Sequence, residues 1–136
     1  KIHLKGRQYH IWVAEQQDDG PFAKGIMLNA AFLEASKRVP DIEQIVLHDV
    51  DNLPLVGGSA NYGATSNGTI RHLFAGAPDY WWVLGGVFVM TASDFRRVNG
   101  FSTRFRGWGR EDDDFFIAME YVHVVSQRYS KVLAMI

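Results

Sequence analysis

The sequence predicts an α/β domain, and three observations predict it. A run of β-formers, Ile11-Trp12-Val13 within Tyr9–Glu15, opens the readable part of the chain. A helical pattern follows over Phe22–Lys37, and a second β-forming run covers Ile42–His48. Strand, helix and strand within about fifty residues make a βαβ unit, which implies a parallel sheet with a right-handed crossover.

Each element has its own local reason. Asp18-Asp19-Gly20-Pro21 breaks the first run. Phe22, Ile26, Ala30 and Leu33 then recur at near-helical spacing, with good helix formers between them, until Pro40. Ile45-Val46-Leu47 is the apolar centre of the second strand. Asn52–Pro78 is rich in Gly, Ser and Asn and reads mostly as loop. Val83–Met90 reads as a buried strand, broken by Gly85-Gly86 where something approaches the backbone closely. Thr91 caps a helix with Asp94 at the third position, and Gly100 ends it in a left-handed turn. Asp112–Tyr121 reads as a helix and Val132–Ile136 as a last strand. No repeat or linker divides the chain, so 1–136 is treated as a single domain.

Composition narrows the partners. With 47% hydrophobic and 21% charged residues the chain is globular, not disordered. A net charge of −1 offers nothing to nucleic acid or an anionic membrane. No apolar run reaches the ~20 residues that span a bilayer, so no membrane contact is expected within these residues. The absence of cysteine removes disulfides and thiolate zinc sites.

Two acidic stretches carry the chemistry. The first, His48-Asp49-Val50-Asp51, follows the second strand, where ligands bind in open α/β sheets. Were the chain extended there, Asp49 and Asp51 would share one side and could hold a divalent cation, which can bridge to phosphate. A polar turn is the alternative. The second stretch is Gly107-Trp108-Gly109-Arg110-Glu111-Asp112-Asp113-Asp114. Four adjacent carboxylates repel one another. They serve a metal, a sugar or a proton, or they simply favour a helix start, where negative charge is welcome. Trp108 between two glycines is suited to a lid whose ring covers the apolar face of a sugar. His3, His10, His72 and His123 lie outside both stretches and read as surface or satisfied core.

Taken together, HDVDNLPL at His48–Leu55 and VLGG…NGF…RFRGWGREDDDF ending at Phe115 resemble the β-1,4-galactosyltransferase family. The likeness is strongest to its xylosylprotein branch. Phe22-Ala23-Lys24 and Leu28-Asn29-Ala30-Ala31-Phe32 are similar to the family's FNR…LNxGF helix. The resemblance implies a GT-A fold, incomplete at both ends, and an inverting transfer of galactose from a UDP-sugar to a sugar hydroxyl with Mn²⁺. The expected acceptor is a xyloside or a GlcNAc-type sugar.

Residue by residue, the resemblance implies donor contacts at Phe22, Ala23, Lys24, Asp49, Val50, Asp51, Val83 and Trp108. Lys24 stands where the family has an arginine, and Ala23 where it has an asparagine. Arg110, Glu111, Asp112 and Asp113 would meet the acceptor, with Asp112 as general base, and Tyr80 is a further acceptor candidate. Asp51 and Met135 are the implied metal ligands. Val83 replaces the tyrosine of galactose-selective members, which makes UDP-GalNAc a second candidate donor, and Arg106 replaces a loop tryptophan. A Golgi-lumen location, from a type II membrane protein, is implied by the resemblance alone. Rival functions are a non-catalytic sugar- or nucleotide-binding module, another GT-A transferase of the chondroitin or polypeptide GalNAc type, and an acidic Ca²⁺-binding domain.

Overall fold

The computed structural model describes residues 8–52, 62–73 and 85–128, the last four of them as backbone. A four-stranded sheet forms the centre. Its strands are β1 (Gln44–His48), β2 (Thr69–His72), β3 (Val87–Thr91) and β4 (Val125–Arg128), in the spatial order β1-β3-β2-β4. The helices are α1 (Lys24–Arg38), α2 (Ala92–Val98) and α3 (Glu111–Tyr121).

The expected parallel crossover is not what forms. β1 pairs with β3 antiparallel, in the register Val46↔Val89, and β2 also pairs with β3 antiparallel. Only β2 and β4 are parallel. Tyr9–Glu15 makes no strand; Ile11 and Val13 are exposed and Trp12 lies under the Arg38 guanidinium, 5.1 Å from its ring centroid. A β-forming tripeptide is too little to hold a sheet edge without a partner ladder. β3 takes the central place because Val87–Thr91 is buried along its whole length. The stretch expected to be loop contains β2, and β4 was not foreseen. The expected strand at Val132–Ile136 lies outside the described residues.

α1 forms where its pattern predicted, but it buries a different face. Gly25, Phe32 and Ala35 are buried and Leu28 packs beside them, whereas Leu33 is exposed and Phe22 precedes the helix. Phe32 decides the rotation: its ring meets Phe95 at 4.6 Å, and the Arg96 guanidinium covers it at 5.1 Å. Gly25 is required by close approach, since a Cβ there would lie 2.8 Å from the Ser102 carbonyl oxygen.

α2 starts and stops as its sequence predicts. The Thr91 hydroxyl oxygen accepts from the Asp94 N–H at 3.0 Å, and Asn99 and Gly100 both take left-handed backbone at the other end. Asp94 is buried, and it also accepts from the Gly68 N–H at 2.8 Å, pinning the turn that leads into β2.

Beneath α3 lies a cluster of phenylalanines. Phe101 and Phe115 stack at 4.2 Å between centroids, and Phe88 and Phe95 pack around them. Burying a side chain of this size contributes roughly 1.5–3 kcal/mol. Phe115 is one helical turn after Glu111, so this packing fixes the start of α3 against the sheet.

Candidate functional site

The site forms where the first residues of two helices meet the end of a strand. Asn29 sets the spacing between them. Its side-chain amide donates to the Phe101 carbonyl at 2.8 Å and accepts from the Phe101 N–H at 2.9 Å. This two-point clamp holds the chain after α2 against α1. Further on, the Gly107 N–H donates to the Phe22 carbonyl at 2.8 Å, so the glycine-flanked loop is fastened beside the start of α1. Gly107 and Gly109 take φ of 82° and 99°, as the sequence led us to expect of a hinge around Trp108. Arg110 also has positive φ, at 73°, and the turn it makes delivers Glu111 and Asp112 to the inside.

Lys24, the first residue of α1, is at the centre. Its ammonium donates to both oxygens of Asp112, at 3.1 and 2.9 Å. It lies 3.2 Å from Asp49 Oδ1 and 3.9 Å from Glu111 Oε1. The Lys24 and Asp112 side chains are each only 14% exposed, so this contact is largely removed from water. Asp49 is held in turn by the glycine of the broken apolar run: its N–H donates to the Gly86 carbonyl at 2.9 Å, and its Oδ2 accepts from the Gly86 N–H at 3.2 Å. Glu111 is buried, and its Oε2 has no hydrogen-bond partner.

The charges respond unequally. Burial pushes the Asp112 carboxyl above its ordinary value, and the Lys24 cation, acting the other way, offsets this only in part; Glu111 and Asp49 add to the rise. For Lys24 burial is again the largest influence, and it acts downward, yet Asp112 and Asp49 together hold the ammonium above its ordinary value. One cation shared among three acids explains both. The lysine collects attraction from Asp112 and Asp49, while Asp112 has one cation and two like charges to answer.

The other acidic residues of the sequence stay outside this cluster. The chain does not run extended after Asp49: it turns, and the Asn52 N–H donates to the Asp49 carbonyl at 3.2 Å. The picture of Asp49 and Asp51 side by side on a strand is therefore replaced by an inward Asp49 and an exposed Asp51, with Val50 exposed between them. Asp113 and Arg110 are exposed, Trp108 fully so. Phe22 is half exposed, and Ala23 is buried with its N–H donating to Gln16 Oε1 at 2.9 Å. Val83, Tyr80 and Met135 lie outside the described residues. Sequence reasoning missed Gly86 as the holder of Asp49 and Asn29 as the clamp. Lys24 was named through the resemblance as a donor contact, but its pairing with the acids was missed, although a cation at a helix N-terminus, where the macrodipole disfavours it, was a clue.

A family model described as the N-terminal region of glycosyl transferase group 7 matches residues 3–61. A second, described as the N-terminal domain of galactosyltransferase, matches residues 71–136. The chain belongs to the β-1,4-galactosyltransferase family. Among the relatives of this family, β-1,4-galactosyltransferase 7 of human and of mouse is 35% identical over 121 residues, which are 85% of this chain and 35% of the relative. Xylosylprotein 4-β-galactosyltransferase of Caenorhabditis elegans is 32% identical over 120 residues, 85% of this chain and 40% of the relative. A mutant of Drosophila β-1,4-galactosyltransferase 7, solved with manganese, UDP-Gal and xylobiose, superposes with a TM-score of 0.80 at 30% identity, covering 96% of this chain and 55% of that one. The fold is thus the GT-A fold of these catalytic domains. The chain spans between 29% and 40% of the length of the curated galactosyltransferases it matches.

Proposed function

We propose that this chain is part of an inverting β-1,4-galactosyltransferase catalytic domain, which moves galactose from UDP to a hydroxyl of a carbohydrate acceptor. The observation that carries the reading is the meeting of Asp49, from the nucleotide-side motif, and Asp112, from the GWGREDD motif, on one Lys24 ammonium. A sugar held at this point touches both motifs. The relative solved with UDP-Gal and xylobiose supports a xyloside as acceptor. Val83, in place of a tyrosine, keeps UDP-GalNAc as a second donor.

In the reaction the acceptor oxygen attacks the anomeric carbon as the bond from that carbon to the UDP oxygen breaks. UDP leaves with the electron pair, and the acceptor's proton passes to the Asp112 carboxylate. A carboxylate raised by burial suits this role, because a base works best when its conjugate acid lies nearer the working pH. Glu111 and Asp113 hold sugar hydroxyls by charge-assisted hydrogen bonds, and the unpartnered Glu111 Oε2 is open to such a donor. Trp108 closes over the donor and excludes water.

A cation fits this end of the sheet through Asp51, an exposed carboxylate and thus a hard oxygen donor. Among the described residues no group of three or more His, Asp or Glu is arranged to hold a metal ion by itself. The remaining ligands would therefore come from diphosphate, water and segments outside the described residues, Met135 among them. Manganese so held would neutralise the departing diphosphate.

The Golgi lumen, reached as a type II membrane protein, is the proposed location; no helix among the described residues is long and apolar enough to cross a membrane. The test is a donor screen on the whole protein with UDP-Gal, UDP-GalNAc, UDP-Glc and UDP-GlcNAc, with Mn²⁺, against xylosides and GlcNAc. Manganese-dependent transfer of galactose or GalNAc is expected. UDP binding with no transfer to any acceptor would instead identify a non-catalytic module.

A further inference from the structure

Lys24 occupies the family's nucleotide-side motif, yet every contact its ammonium makes is to a carboxylate. It takes both oxygens of Asp112, lies 3.2 Å from Asp49, and has the buried Glu111 farther off at 3.9 Å. We propose that Lys24 is a positioning residue for the base: it fixes the Asp112 carboxylate in one orientation and ties that orientation to donor-side Asp49. This rests on the reading of Asp112 as the proton acceptor.

The physical need is plain. The terminal torsion of an aspartate is broad and does not by itself choose an orientation. Asp112 also faces two like charges, Glu111 beside it on α3 and Asp49 at the end of β1. Without a cation between them, repulsion drives the Asp112 carboxylate toward water and away from the acceptor. Lys24 opposes that repulsion from α1, the third element packed at this point. Its identity matters as well. An ammonium is a compact charge with three donors and can serve several acids at once, whereas the planar fork of arginine favours one carboxylate held at two points.

The test compares Lys24→Gln and Lys24→Arg with wild type in the whole protein, following transfer against pH and against UDP-sugar concentration and melting each variant alongside. For Lys24→Gln, kcat should fall about 100-fold, the cost typical of a small misplacement at the reacting centre. Its acid limb should move to higher pH, because Asp112 is left with Glu111 and Asp49 and no cation. Lys24→Arg should lose less and keep its limb close to wild type. If Lys24→Gln does not hold its fold, Lys24→Arg decides alone: a lowered kcat at unchanged donor KM supports the proposal. In either variant, wild-type kcat with a raised donor KM overturns it and makes Lys24 a nucleotide contact only. Failure of the underlying reading looks different, since Asp112→Asn would then turn over like wild type.

Discussion

The two acidic motifs look alike as strings, HDVD and EDDD, yet each splits into an inward half and an outward half. Asp49 and Asp112 turn in to Lys24, while Asp51 and Asp113 stand in solvent two residues and one residue further on. Backbone geometry makes the division. A turn closed by Asn52 separates Asp49 from Asp51, and the helical advance of α3 rotates Asp113 away from Asp112. The inward pair is fixed by ion pairs to Lys24, with burial added for Asp112 and Gly86 for Asp49, and the outward pair is left available for a ligand or an ion. Neighbouring carboxylates in one motif can therefore have different duties, and composition does not reveal which is which.

The strongest way to break this comparison is to neutralise the inward acid. Asp112→Asn should lower transfer about 100- to 10,000-fold, as removal of a positioned base does, while UDP binding is retained. Normal turnover would move the base elsewhere. The outward acid gives the contrast. Asp113→Asn should leave kcat near wild type and raise the acceptor KM about 10- to 100-fold, the worth of one hydrogen bond to a charged group. Equal losses of kcat in the two variants would erase the distinction between them.

A smaller effect sharpens the electrostatics of the inward half. The Asp112 carboxyl titrates above its ordinary 3.8 in the folded protein. As pH rises through that value, the unfolded chain releases this proton first, so the folded state binds more protons and stability falls across the window. Asparagine has no such term. The stability of wild type relative to Asp112→Asn should therefore decline as pH rises above the ordinary carboxyl value of 3.8 in denaturant unfolding. Lys24 stays charged throughout, because its raised value lies above the ordinary 10.5. A flat difference would mean that the ion pair cancels the cost of burial, against the general expectation for buried pairs.

The sequence made some of this legible and hid the rest for identifiable reasons. Caps are local, so Thr91 with Asp94 and the left-handed end at Asn99-Gly100 were readable, as were α1, β1, α3 and the family motifs. Strand direction is not local. Nothing in Gln44–His48 states that its neighbour is Val87–Thr91 running the other way, and four-residue strands such as β2 and β4 carry too short a pattern to detect. Within α1 the spacing was right and the buried face was not, because Phe32 finds Phe95 only in three dimensions. The cluster itself was half legible. Asp112 and Asp49 were marked by their motifs, but their meeting on Lys24 depends on α1 and α3 presenting their first residues to each other.

The smallest effect on folding is expected at the most exposed residue. Trp108 is fully exposed, and the glycines on either side already carry the left-handed backbone of the loop. Trp108→Ala should therefore change unfolding stability by no more than about 0.5 kcal/mol, as for other surface positions without partners. A tryptophan that contributes nothing to the fold, on a loop anchored through Gly107 to the start of α1, has its ring free for a ligand. The variant should accordingly shift the balance from transfer toward UDP-sugar hydrolysis, because water is no longer excluded when the loop closes. The ratio of the two products, measured in one reaction, reads this without depending on the amount of active protein. An unchanged ratio would separate Trp108 from the donor and leave the inward acids to exclude water by their own packing.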